Sequence, residues 1–163
     1  MKILALDNAL RITGWSIFED SKLVSYGKFT IAANDDLSKR LGEYWKQLDT
    51  LYEANQFDYL YFEDCQQQAN AQTYHKLSMV KATILLWCYF HDMPYTVLSP
   101  SEWRKILRGE HGRNFGRTRV ENKKVAKALV ADLYKIEATE DECDAICIGT
   151  AGMLEQKKHT SAF

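Results

Sequence analysis

The 163-residue sequence predicts an α/β domain on a mixed five-stranded sheet: three antiparallel strands, then alternating helices and strands, with helices on both faces. Three observations carry this expectation. The first 31 residues hold three apolar runs, 2–7, 12–18 and 23–31, separated by short polar turns. Two further short runs, 58–62 and 94–98, are each preceded by a long segment of helical periodicity. After residue 98 only helical spacing and a glycine-rich loop follow. That alternation is the pattern of a sheet covered by helices.

Each element has its own signal. The run ending at Asp7 and the run starting at Ile12 are joined by Asn8 to Arg11, and Glu19 to Lys22 forms the next turn before Leu23–Ile31. Asn34 is placed to cap a helix whose Leu37, Leu41, Trp45, Leu48, Leu51 and Tyr52 form one apolar stripe. A helix over 69–91 carries Leu77, Val80, Ile84 and Trp87 on one side, with Leu85, Cys88 and Tyr89 widening the apolar surface. Apolar residues on more than one face predict that this helix is covered by the sheet and by a partner subunit. Ser99-Pro100-Ser101-Glu102 is a helix start, with a hydroxyl cap, proline in the first turn and glutamate at the third position. Gly109, Gly112, Arg113, Asn114 and Gly116 mark a basic loop. Helical spacing resumes through Val120, Val125, Leu129 and Leu133, and a last helix begins near Thr139. Residues 1–158 are expected to form a single domain and 159–163 a disordered tail.

Composition narrows the function classes. At 46% apolar and 26% charged residues, the chain falls in the globular range. The opening turns acidic too early for a secretory signal, and Thr83–Phe90 is too short to span a bilayer, so a cytoplasmic address without membrane contact is expected. Four cysteines then imply reduced thiols, and Cys143 and Cys147 lack a second pair of zinc ligands, so they read as small buried side chains. The net charge of −1 hides an asymmetry: Ser101–Lys127 holds nine basic residues against three acidic ones, a local +6. Such a segment draws a polyanion while the remainder stays acidic.

The acids carry the chemistry. Asp7 closes an apolar strand, where a lone carboxylate is costly to bury, and Glu63 closes another after Phe57–Phe62. Glu63 rather than its neighbour Asp64 is assigned to the site, since alternation sends the two to opposite faces. Asp141 and Asp144, at i and i+3, share a face of the last helix. Oxygen-only ligands suit Mg²⁺, with Mn²⁺ as a substitute. Two such ions roughly 3.5–4 Å apart activate water and neutralise the leaving oxygen in phosphodiester hydrolysis. Arg113, Arg117 and Arg119 are expected to track a nucleic-acid backbone.

Taken in order, the stretch Ile3–Trp15 with Asp7 and Thr13-Gly14, then Tyr61-Phe62-Glu63, then Asp141-Glu142-Cys143-Asp144-Ala145, resembles the RuvC family of Holliday junction resolvases, within the ribonuclease H-like superfamily. The resemblance implies a crossover junction endodeoxyribonuclease acting as a homodimer, with paired nicks in opposing strands of a four-way junction. It implies Asp7, Glu63, Asp141 and Asp144 as metal ligands, and a cation near the scissile phosphate at Lys123 or Lys124, of which Lys124 is taken as catalytic and both as DNA contacts. The chain also departs from the pattern. Family members open Asp-Pro-Gly where this chain has Asp7-Asn8-Ala9, and carry an aromatic three residues after the strand glutamate where this chain has Gln66. Relaxed cleavage-sequence preference is expected, with Gln66 and Tyr74 as DNA contacts and forks among the substrates. Divergence and compactness point to a bacteriophage version. The rival readings are a junction-binding protein with little cleavage, a sugar kinase or actin-like ATPase, and a ribonuclease H. The second lacks its duplicated domain and phosphate loops, and the third a reader for 2′-hydroxyls.

Overall fold

Strand β1 (Lys2–Asp7) lies between β2 (Ile12–Glu19) and β4 (Tyr59–Glu63), which explains why its sequence alternates so poorly: both of its faces are buried. The computed structural model describes residues 1–34, 36–66 and 70–160, with 159 and 160 described by their backbone alone. β2 pairs antiparallel with β1 and with β3 (Lys22–Thr30), and the β2–β3 turn has positive φ at both Asp20 (48°) and Ser21 (70°), the geometry that matches strand twist in a two-residue hairpin. β4 runs parallel to β1, and β5 (Tyr95–Leu98) parallel to β4, giving the order β3-β2-β1-β4-β5. The expected mixed five-stranded sheet is the one the chain forms.

Strand pleat divides the core in two. Leu4, Leu6, Leu60 and Phe62 face helices α1 (Leu37–Asn55) and α2 (Ala71–Phe90), where Tyr44, Leu48, Ile84 and Trp87 are buried. Ile3, Ala5, Phe18 and Tyr61 face α3 (Pro100–His111), α4 (Arg119–Tyr134) and α5 (Glu140–Thr160), against Trp103, Leu129 and Ile146. Burying each such large apolar side chain contributes about 1.5–3 kcal/mol. α5 lies flat across β1 and β2. Ser16 Oγ donates to the Ala145 carbonyl at 2.8 Å, and a Cβ at Gly149 would come within 2.3 Å of the Phe18 ring. Cys143 and Cys147 are buried in this layer, packed as small side chains among its apolar residues, and burial pushes the Cys143 thiol up to about 11.

Some boundaries differ from expectation for local reasons. Asp36, not Asn34, caps α1, its side chain accepting from the Ser38 and Lys39 amides. Asn34 instead accepts from the Asp36 amide at 2.8 Å, making the turn that delivers the cap. The Ser99 capping box forms as expected. The basic loop is shorter than its glycines indicated, because α3 continues to His111 and Gly112, at φ 65°, closes it. A second capping box, Thr118 with Glu121, starts α4. α5 continues through Thr160, two residues into the span expected to be a tail; Ser161–Phe163, like Gln67 and Gln68, lie outside the described residues.

Candidate active site at the ends of β1 and β4

Asp7 and Glu63 are the last residues of neighbouring parallel strands, each one step beyond the registered pair Leu6–Phe62. By pleat parity they share the face of Ala5 and Tyr61, toward α3–α5. Asp64 goes the other way and pairs with Lys81 of α2 at 2.5 Å. Two details lock the strand ends. The buried Asn8 accepts from the Glu63 amide through Oδ1 at 2.9 Å, tying the turn after β1 to the end of β4. Thr13 Oγ1 both donates to the Ala9 carbonyl (2.8 Å) and accepts from the Ala9 amide (3.2 Å), closing the turn.

Asp141 and Asp144 arrive from the opposite side on the first turns of α5. Gly14 makes this possible: it pairs with Asp7 across the β1–β2 ladder, and a Cβ there would stand 1.9 Å from the Asp141 carbonyl oxygen. The helix end therefore rests directly on strand backbone, with its positive pole toward the carboxylates.

Electrostatics at this point are those of acids forced together. Asp7 is held well above the ordinary carboxylate range, first by burial and then by the charges of Glu63 and Asp144. The residue keeps some surface at the strand end, but protein surrounds its carboxyl group. Glu63 is raised by burial, against which the Trp103 indole N–H works by donating to Oε1 at 2.8 Å. Burial also raises Asp144, opposed by an ion pair with Lys123 of α4. Lys123 in turn is disfavoured by burial, but Asp144 more than offsets this and lifts it above the usual lysine value. Arg104, stacked 4.9 Å from the Trp103 ring centroid, adds positive field on Glu63 and Asp144. Asp141 contributes negative field to Asp7, Lys123 and Asp144.

A cleft of half-buried, mutually repelling carboxylates gathered from three elements, with a lysine paired into it, is a place for cations and phosphates. The family model for crossover junction endodeoxyribonuclease RuvC matches residues 3–151. The chain belongs to the RuvC family. It is 23% identical over 161 residues to the RuvC of Dictyoglomus thermophilum, covering 96% of this chain and 99% of that one. With the Clostridioides difficile RuvC it shares 23% over 152 residues, covering 91% and 87%. Among solved structures, T. thermophilus RuvC in complex with a Holliday junction substrate superposes with a TM-score of 0.76 at 11% identity, covering 97% of this chain and 96% of that chain. The yeast mitochondrial Holliday junction resolvase superposes at 0.65 and 17%, covering 96% and 80%. These structural likenesses are ones of fold.

Against the RuvC pattern, Asp7, Glu63, Asp141 and Asp144 fall around one cleft. Among the described residues, however, no three acidic, histidine or cysteine side chains already stand close enough to enclose one ion; Lys123 pairs with Asp144 Oδ2 and the Trp103 indole holds Glu63 Oε1. Of the two lysines that the sequence leaves open, Lys123 reaches Asp144, whereas Lys124, expected to be catalytic, is exposed one helical step away. Arg113 pairs with Asp132 of α4. Arg117 and Arg119 are exposed, Arg119 lying one turn before Lys123 on the same helical face. Gln66 and Tyr74 are exposed beyond β4 and in the first turn of α2. Asn8, Trp103 and Arg104 do not stand out as site residues in the sequence. Asn8 occupies the place where the family has proline, and that departure is its one signal.

Proposed function

We propose that this protein is a structure-selective DNA endonuclease that resolves four-way junctions, and forks among other branched DNAs, by paired metal-dependent hydrolysis with relaxed sequence preference. The observation that carries it is the gathering of Asp7, Glu63 and Asp144 into one electrostatically strained cleft in a chain of the RuvC family. Crossover junction cleavage is what its curated relatives are named for.

The donor set fits hard divalent cations: oxygen-only, partly buried, and short of positive charge. Asp7, Glu63, Asp141 and Asp144 would hold Mg²⁺, or Mn²⁺ in its place. Bound there, the ions supply an activated water and neutralise the leaving 3′ oxygen. The protein's own residues do the rest. Lys123, at the α4 edge of the cleft, meets the scissile phosphate and stabilises the extra charge of its transition state. Arg117, Arg119 and Lys124, all exposed, track the backbone, while the shape of the branch selects the substrate. Arg113 joins them on leaving Asp132. Gln66 and Tyr74 contact DNA beyond β4, and the absence of an aromatic at 66 removes a base-stacking reader.

Two sites are brought to one junction by a homodimer formed through α2. Met79, Ala82, Leu86, Tyr89 and Phe90 lie exposed along that helix, with Leu86 at 54%, Tyr89 at 74% and Phe90 at 69% exposure, opposite the face that buries Val80, Ile84 and Trp87. An exposed apolar stripe of this kind marks an interface. The cytoplasm is the proposed setting: all four cysteines are free, and among the described residues no helix is long and apolar enough to cross a membrane.

The test is Asp7→Asn. It should bind a four-way junction as the parent does and lose cleavage, because it removes a cation ligand without adding repulsion to DNA. Lost binding with unchanged cutting per bound complex would overturn the assignment.

A further inference from the structure

Trp103 is 1% exposed, yet its one polar atom is directed at the cleft, where Nε1–H donates to Glu63 Oε1 at 2.8 Å. The ring is held from outside as well. Phe115 packs edge-on at 5.2 Å and 88°, and the Arg104 guanidinium lies 4.9 Å from the ring centroid. We propose that Trp103 is a positioning residue for cleavage: it fixes the Glu63 carboxylate by engaging Oε1, leaving Oε2 to a divalent cation. The proposal rests on the reading of Glu63 as a metal ligand.

The chemistry of the indole suits the task. It donates and never accepts, so it stabilises the ionised carboxylate and cannot itself compete for the cation. A glutamate on a strand end has three rotatable bonds, and a ligand so free binds poorly unless an outer partner orients it. Lysine or histidine in the same place would bring a charge or a second ligand, whereas a clamped indole brings direction alone. Capping-box geometry at Ser99 and Glu102 starts α3 so that Trp103, within its first turn, lies beneath β4. Phe115 belongs to the basic loop between α3 and α4, so the segment proposed to track DNA shares an aromatic wall with the residue that orients Glu63.

The experiment uses Trp103→Phe, which keeps an aromatic ring and removes the N–H. Mn²⁺ is titrated calorimetrically into the DNA-free protein, and junction cleavage is followed over a Mg²⁺ series. The Mn²⁺ dissociation constant and the half-saturating Mg²⁺ concentration should rise roughly 10–100-fold, with junction affinity in EDTA unchanged and cleavage recovered at high Mg²⁺. In a Glu63→Gln background the same substitution should leave Mn²⁺ affinity unchanged. Values within about twofold of the parent, or an equal loss in both backgrounds, would overturn the proposal. A parent that neither bound Mn²⁺ nor cut in any metal would instead overturn the reading of the site itself.

Discussion

Gly14→Ala is the smallest change that should disable this protein. The added Cβ would stand 1.9 Å from the Asp141 carbonyl oxygen, 2.4 Å from its carbon and 3.0 Å from the Glu142 nitrogen, where ordinary contact begins at 3.4 Å. Relief therefore requires about 1.5 Å of movement by backbone, not by a flexible side-chain tip. β2 cannot give, since Gly14 is paired with Asp7 on one side and Lys28 on the other. The N-terminus of α5 must move, taking Asp141 and Asp144 with it. Overpacking of this kind costs about 1–3 kcal/mol, and a displacement near 1 Å at reacting groups costs about 100-fold in rate. Urea denaturation and single-turnover junction cleavage in saturating Mg²⁺ measure the two effects. Gly42→Ala is the control: it lies in α1 with nothing within 4 Å of a new Cβ, and should gain about 0.5–1 kcal/mol from helix propensity. A Gly14→Ala protein as stable as the parent and cutting within a few-fold of it would refute the claim that α5 is seated on bare backbone.

Three further outcomes follow from the same structure. Asp7, Glu63 and Asp144 sit above the ordinary carboxylate range, so in EDTA the folded state retains protons that the unfolded chain has lost, and these groups make stability fall as pH rises from about 4 through their raised values. Asp7→Asn should consequently be more stable than the parent at pH 8, with an advantage that shrinks toward pH 4; a pH-independent difference in urea midpoints would contradict this. Replacing Arg117, Arg119 and Lys124 together by glutamine should reduce the slope of log K against log salt for junction binding by roughly 2–3, and an unchanged slope would place the DNA elsewhere. Leu86→Glu with Tyr89→Glu should convert a dimer to a folded monomer by light scattering, whereas a dimer that persists would remove α2 from the interface.

The sheet was legible because its strands are short apolar runs with clear turns. Asp7 and Glu63 were legible because a carboxylate that ends a core strand is costly to keep there unless a cation or a donor meets it. Asp64 could be set aside by parity alone, and the structure pairs it with Lys81. What could not be read were contacts made across elements. Lys123 and Lys124 are adjacent in the chain, and only the rotation of α4 about its axis decides that Lys123 faces Asp144. Trp103 carries no signal of its own in the sequence, and its N–H acquires meaning only when α3 is laid against β4. Gly14 was visible as part of a motif, but the need for it comes from the Asp141 backbone, brought onto β2 by the packing of α5, and that approach is a property of the folded chain. Asn34 failed as a cap because two acceptors compete within three residues, and local sequence does not say which one the helix chooses.

Whether this cleft cuts branched DNA with divalent metal is tested most directly by strand-by-strand mapping of nicks on a labelled four-way junction. The reactions are run in Mg²⁺, Mn²⁺ and EDTA, beside fork and linear duplex controls. Paired nicks in opposing strands that require metal and are absent from linear DNA are the predicted result. Tight junction binding without nicks in either metal, or equal cutting of linear duplex, would contradict it.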